Sequence, residues 1–187
     1  MRLAATVVLG VLLAGSVSLS RPLAATEPGK CAGADTVFKN YKPSTPPRPV
    51  SDKTFVDGEG KELTLAKYKN RGIVFNFWAT WCAPCVKEMP QLDRLKKILE
   101  ADAIDVLTIS EDRAGAPLVK KFYEINGLRN LVILIDKKGK VLRDSKIIGL
   151  PTTLLIDARG LEIGRVQGIT EWDAKETVAF LRRCLKP

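Results

Sequence analysis

The sequence predicts a single α/β domain with a parallel core, helices packed against it and an antiparallel hairpin near its C-terminal end. Three observations carry that prediction. The chain has 187 residues, 45% of them hydrophobic and 27% charged, which is enough to bury a core without staples or metals. From Phe55 onward, short apolar runs suited to buried strands alternate with stretches whose apolar residues recur every three or four positions. Turn formers mark the joints between them, as at Asp57-Gly58-Glu59-Gly60, Gly127 and Lys138-Gly139.

Residues 1–25 read as an export signal. Arg2 supplies the positive start, Leu3 to Leu19 is an apolar run, and Leu23-Ala24-Ala25 resembles a small-residue cleavage site. The run is at the short end of what crosses a bilayer as a helix, so residues 3–19 serve either as a cleaved signal or as a membrane tether. Both place the folded part outside the cytoplasm, where disulfides persist. Residues 26–49 read as a proline-rich linker or arm. It contains Cys31, a short helical patch from Ala34 to Tyr41, and Pro43, Pro46, Pro47 and Pro49, whose fixed φ favours extended polyproline geometry. The domain proper is assigned to residues 50–187.

Within the domain, Phe55-Val56 and Glu62 to Leu65 predict a small hairpin, and Ile73 to Ala79 a central strand. A helix follows, with Val86, Met89, Leu92, Leu95 and Leu99 on one stripe, Lys87, Arg94, Lys96 and Lys97 outside it, and a kink expected at Pro90. Ile104 to Ser110 predicts a second strand, Pro117 to Asn126 a helix stopped by Gly127, and Leu131 to Ile135 a third strand. Thr153 to Ile156 and Glu162 to Gln167 predict the terminal hairpin. Trp172 to Leu185 predicts a last helix, with Thr170 and Asp173 as its capping box.

Composition removes much of enzymology. There is no histidine, so imidazole bases, Ser/His/Asp or Cys/His couples and His-ligated metals are excluded. Lys and Arg number 30 against 21 acids, but the cations are scattered as short pairs, with no basic stripe interleaved with aromatics; no nucleic-acid partner is expected. The basic balance suits acidic partners or anionic lipid instead.

The chemistry concentrates at Trp81-Cys82-Ala83-Pro84-Cys85, between the central strand and the first long helix. A helix start offers unpaired N–H groups and the positive dipole end, which stabilise a thiolate at Cys82 and make it the nucleophile. Two intervening residues bring Cys85 within bonding range, so it resolves the mixed disulfide, while Pro84 stiffens the turn. A static staple and half of a zinc site are the alternatives, but Cys31 and Cys184 lie at opposite ends of the chain rather than as a second close pair. No metal is expected, and no cofactor beyond the Cys82–Cys85 disulfide.

Phe77-Trp78-Ala79-Thr80-Trp81-Cys82-Ala83-Pro84-Cys85, continued by Lys87-Glu88-Met89-Pro90, resembles the thioredoxin superfamily, and within it the exported TlpA/ResA-like thiol-disulfide oxidoreductases. Gly149-Leu150-Pro151-Thr152 is the second landmark. The resemblance implies a thioredoxin-like fold: a central mixed sheet flanked by helices, with an N-terminal hairpin extension. It implies a cis Pro151 beside the cysteines, client docking on Trp81, Ala83, Pro84 and Leu150, and a proton acceptor or donor for Cys85 at Glu88. Asn76 stands where cytoplasmic thioredoxins carry a buried acid. A solvent-facing glutamate is the plainer reading of position 88, and Trp78 reads as packing.

An even cysteine count in an exported chain favours a structural Cys31–Cys184 disulfide, with a buried free thiol at Cys184 as the alternative. The resemblance further implies a periplasmic monomer that takes electrons from a membrane thiol donor. It would reduce exported clients, as in cytochrome c or cytochrome oxidase assembly. A disulfide-donating oxidant, a copper-binding assembly factor, a noncatalytic adaptor and a peroxidase on the same fold are the competing readings. The copper factor lacks ligands, with only Met1 and Met89 and no histidine.

Overall fold

The computed structural model describes residues 29–187; the signal at 1–25 and its apolar run at 3–19 lie outside them. A sheet of eight strands forms the backbone of the domain. In chain order the strands are β1 (Tyr41–Pro49), β2 (Phe55–Asp57), β3 (Glu62–Leu63), β4 (Gly72–Trp78), β5 (Ile104–Ser110), β6 (Ile133–Ile135), β7 (Thr152–Ile156) and β8 (Leu161–Gln167). They lie side by side as β1-β8-β7-β4-β5-β6-β2-β3. β4, β5 and β6 pair in parallel and every other pairing is antiparallel, so the sheet is mixed, as the resemblance implies.

Helices cover both faces. They are α1 (Ala34–Val37), α2 (Ala83–Ile98), α3 (Ala116–Asn126), α4 (Lys140–Asp144) and α5 (Lys175–Leu185). The period-2 alternation of β4 sorts its side chains into two cores. Val74 and Trp78 join Met89, Leu92 and Leu95 of α2, Val119 of α3 and Leu181 of α5. Ile73, Phe75 and Phe77 face the other way, towards Val141 of α4 and Phe55 of the β2–β3 hairpin. α2 runs on through Pro90 as one helix, and its buried line includes Cys85, Glu88, Met89, Leu92 and Leu95.

Three sequence expectations need correction. The proline-rich segment is not a free linker: it is strand β1, paired with β8 through Tyr41–Val166 and Arg48–Glu162. Proline lacks the ladder donor, and only an edge strand with its open side to solvent tolerates four of them. The strand is held by charge as well, because Arg48 (3.0 Å), Arg165 (2.8 Å) and Ser44 (3.0 Å) all donate to the buried Glu162 carboxylate. The last helix begins at Lys175 rather than Trp172, without a side-chain cap. Asp173 pairs instead with Arg94 at 2.6 Å, so a long-range partner displaces the capping box. The five-residue α4 is an element the periodicities do not show.

β1 crosses β8 where Gly164 carries no side chain, and a Cβ there would collide with the Tyr41 ring. Gly164→Ala should therefore displace β1 and cost about 1–3 kcal/mol, read as a lower urea midpoint. An unchanged midpoint would mean that β1 is not held at this crossing.

Candidate functional site

β4 ends at Trp78, and four residues later the chain enters α2 with Cys82 as its N-cap. That short turn is fixed from below. The buried Asp112, just past β5, accepts from the Thr80 amide at 2.9 Å and the Thr80 hydroxyl at 2.7 Å, and is itself steadied by Ser110 at 2.7 Å. Strand ends of a parallel sheet are where such loops gather.

Cys82 and Cys85 are joined in a disulfide. Cys82 Sγ accepts from the Cys85 amide at 3.3 Å, one of the otherwise orphaned donors of the first helical turn. Cys82 sits at the edge of a groove of about 550 Å³, lined also by Trp81, Ala83, Pro84, Glu111, Ile148 and Leu150. Cys85 is 0% exposed. Two large apolar side chains stand open beside the groove, Trp81 at 71% and Ile148 at 88% exposure. The Leu150–Pro151 peptide is cis, and Leu150 borders Cys82 in the groove. Trp78 is fully buried.

Glu88 is buried, not solvent-facing. One carboxylate oxygen accepts from Asn76 Nδ2 at 2.8 Å and the other from Trp172 Nε1 at 3.0 Å, while Asn76 also donates to Thr153 at 2.9 Å. Burial pushes the Glu88 carboxyl up to about 7, against the opposing pull of the bonds from Trp172, Asn76 and the Thr170 amide. Asn76 thus stands beside the acid on α2 instead of supplying one from β4.

Sequence reasoning missed two neighbours. Glu111 lines the groove with one buried oxygen lacking a partner. Burial, and then the like charge of Asp136, pushes it up to about 8. Its signal was present, since Glu111-Asp112 directly follows a predicted parallel strand. Trp172 was read only as a helix start, and nothing local marks it as the donor to Glu88.

The second cysteine pair is also joined: Cys31 and Cys184 form a disulfide that clips the segment ahead of α1 onto α5. Phe38, just after α1, packs its ring 5.3 Å from Phe180 and 5.7 Å from Trp172.

Folding favours the protonated Glu88. Its contribution to stability is therefore full below about pH 4.5 and is lost as pH rises through 7. Glu88→Gln should gain on the order of 3 kcal/mol over the parent between pH 5 and pH 8, measured by denaturant unfolding at each pH. A difference that does not change with pH would mean that the carboxyl titrates normally.

The chain matches the AhpC/TSA family over residues 47–161. It is 39% identical over 134 residues to the thiol-disulfide oxidoreductase ResA of Geobacillus thermodenitrificans, covering 70% of this chain and 75% of that one. It is 35% identical over 112 residues to ResA of Bacillus thuringiensis subsp. konkukian, covering 60% of this chain and 64% of that relative's length. Among solved structures, the pneumococcal exposed lipoprotein thioredoxin of Streptococcus pneumoniae superposes with a TM-score of 0.59 at 28% identity, over 69% of this chain and 98% of that one. The chain belongs to the AhpC/TSA family of the thioredoxin superfamily, as a ResA-like member.

Proposed function

We propose that the chain is a thiol-disulfide oxidoreductase that reduces cysteines of exported client proteins through its Cys82–Cys85 pair. The observation that carries this reading is the unequal placement of the two sulfurs: Cys82 caps α2 at the edge of an apolar groove, and Cys85 has no exposed surface. In the dithiol form, the helix start stabilises the Cys82 thiolate, which attacks one sulfur of a client disulfide and expels the other as thiolate. Cys85 then gives its proton to the Glu88 carboxylate and attacks Cys82 Sγ. The second client sulfur leaves as thiolate, and Cys82–Cys85 ends as the disulfide. A carboxyl with a proton affinity near 7 suits that transfer at neutral pH.

Client docking falls to Trp81, Ala83, Pro84 and Leu150 around the groove. Pro151 follows Leu150 directly and orders the strand start at which an extended peptide would lie. No cofactor beyond the cysteine pair is required. The Cys31–Cys184 disulfide, which needs an oxidising compartment to persist, supports work in the periplasm, whether tethered by residues 3–19 or released. Among the described residues, no helix is long and apolar enough to cross a membrane. The domain acts as a monomer fed by a membrane thiol donor. The kinship with the ResA proteins supports the reductive direction and clients of the cytochrome c or cytochrome oxidase assembly type.

The Cys85→Ser variant should trap a mixed disulfide with a client and Cys82→Ser should trap none; the reverse pattern would exchange the roles of the sulfurs. Equilibration in dithiothreitol buffers, read by alkylation and mass spectrometry at Cys82 and Cys85, should give a potential below about −220 mV. A value near −120 mV would make the protein a disulfide donor. Trp81→Ala should lower kcat/KM for a protein client by roughly tenfold through KM, because it strips the exposed docking ring without touching the sulfurs.

A further inference from the structure

Glu88 lines a second cavity, of about 730 Å³, that shares no residue with the client groove. Its walls are α1, α2, the segment between β8 and α5, and the start of α5; no cysteine borders it. A protein docked on Trp81, Ile148 and Leu150 would cover the one face where Cys82 meets solvent. The proton that Cys85 yields would then have no outlet on that side, whereas Glu88, one helical turn further along α2, opens on the other cavity.

The α1 wall is secured from several directions. The Cys31–Cys184 disulfide pins its leading segment to α5, and Arg183 donates to the Ala32 carbonyl at 3.0 Å. Phe38 closes the far end against Trp172, whose indole N–H holds Glu88. Phe38 packs on both Phe180 and Trp172, and so links α5, the helix that carries the clip, to the donor that holds Glu88. The charged groups around the cavity are Asp35 on α1 and Lys39 just after it, Lys87 on α2, Glu171 ahead of α5 and Glu176 in its first turn; behind Glu88, β4 and β7 place the neutral Asn76 and Thr153.

We propose that this cavity is the port through which Glu88 exchanges the Cys85 proton with solvent while a client covers the cysteines, and that the arm clipped by Cys31–Cys184 is the wall that sets how far solvent reaches Glu88. Glu88 and the arm have separate parts. Glu88 carries the proton, and the arm is a positioning element that fixes how much water reaches it. The inference rests on the proton role given to Glu88 above.

The test titrates the Glu88 carboxyl in the full chain with Cys82–Cys85 oxidised, by carbon NMR or infrared difference spectroscopy. The parent midpoint is expected at about 7. Cys31→Ser combined with Cys184→Ser should wet the port and lower that midpoint by roughly one unit. Val37→Trp fills the cavity from its partly exposed arm wall, leaves the buried core intact, and should move the midpoint upward. It should also slow reduction of insulin, a protein-sized probe, severalfold relative to reduction of oxidised glutathione, which leaves the groove uncovered. A midpoint unmoved in both variants overturns the port. Glu88→Gln separates the two levels of the argument. A changed pH profile of insulin reduction in that variant, with unmoved midpoints in the arm variants, refutes the port alone; an unchanged profile refutes the proton role and the port together.

Discussion

A carboxyl group in an apolar interior is tolerable only while its oxygens are served, and Glu88 imposes that requirement on the whole domain. Its partners come from widely separated parts of the chain: Asn76 from the central strand, and Trp172 from the segment after β8. Satisfying one side chain on α2 therefore draws the C-terminal segment over the helix. Trp172 in turn gives Phe38 a surface, and Phe38 brings the N-terminal arm with it. The layer that covers α2 is organised around a polar group, although apolar burial by Leu92, Leu95, Leu181 and their neighbours provides most of the driving force.

The same helix gives its two sulfurs opposite environments. Cys82 lies at the N-terminal cap, where the dipole and the Cys85 amide favour negative charge. Cys85 lies one turn inside, fully buried, with an acid on the next turn of the same face. Burial and a neighbouring carboxylate both disfavour a second thiolate. Position alone thus gives two identical groups the unlike surroundings that an attacker and a resolver would need, without an imidazole anywhere in the chain.

Much of this was legible in the sequence, and the reasons differ by element. β4 and β5 announce themselves because strands buried on both faces read as mainly apolar runs, interrupted here only by Asn76 in β4 and by Asp105, Thr108 and Ser110 in β5, and α2 because its stripe persists over four turns. The cysteine pair is legible because its spacing and its place at a strand-to-helix joint carry the same message. The burial of Glu88 was half visible: it falls on the line Cys85, Glu88, Leu92, Leu95, which is the core-facing stripe. β1 was hidden because its prolines deny the usual strand signature, and only the side chains opposite it on β8 reveal a docking edge. α4 is too short for any period to show. The capping box at Thr170 failed because local motifs compete with distant partners, here Arg94 for Asp173 and Glu88 for the Thr170 amide.

The clip between Cys31 and Cys184 also orders events in time. Its halves are separated by 153 residues, and Cys82 and Cys85 are made between them. Four cysteines allow three pairings, and during synthesis Cys31 meets both wrong partners before the right one exists. In the folded domain α5 holds Cys184 among Val178, Leu181 and Leu185 and beside Cys31, so its packing favours the native pairing over the two that would consume Cys82 or Cys85. A chain that joined Cys31 to Cys82 or Cys85 instead would have locked its own redox pair out of use.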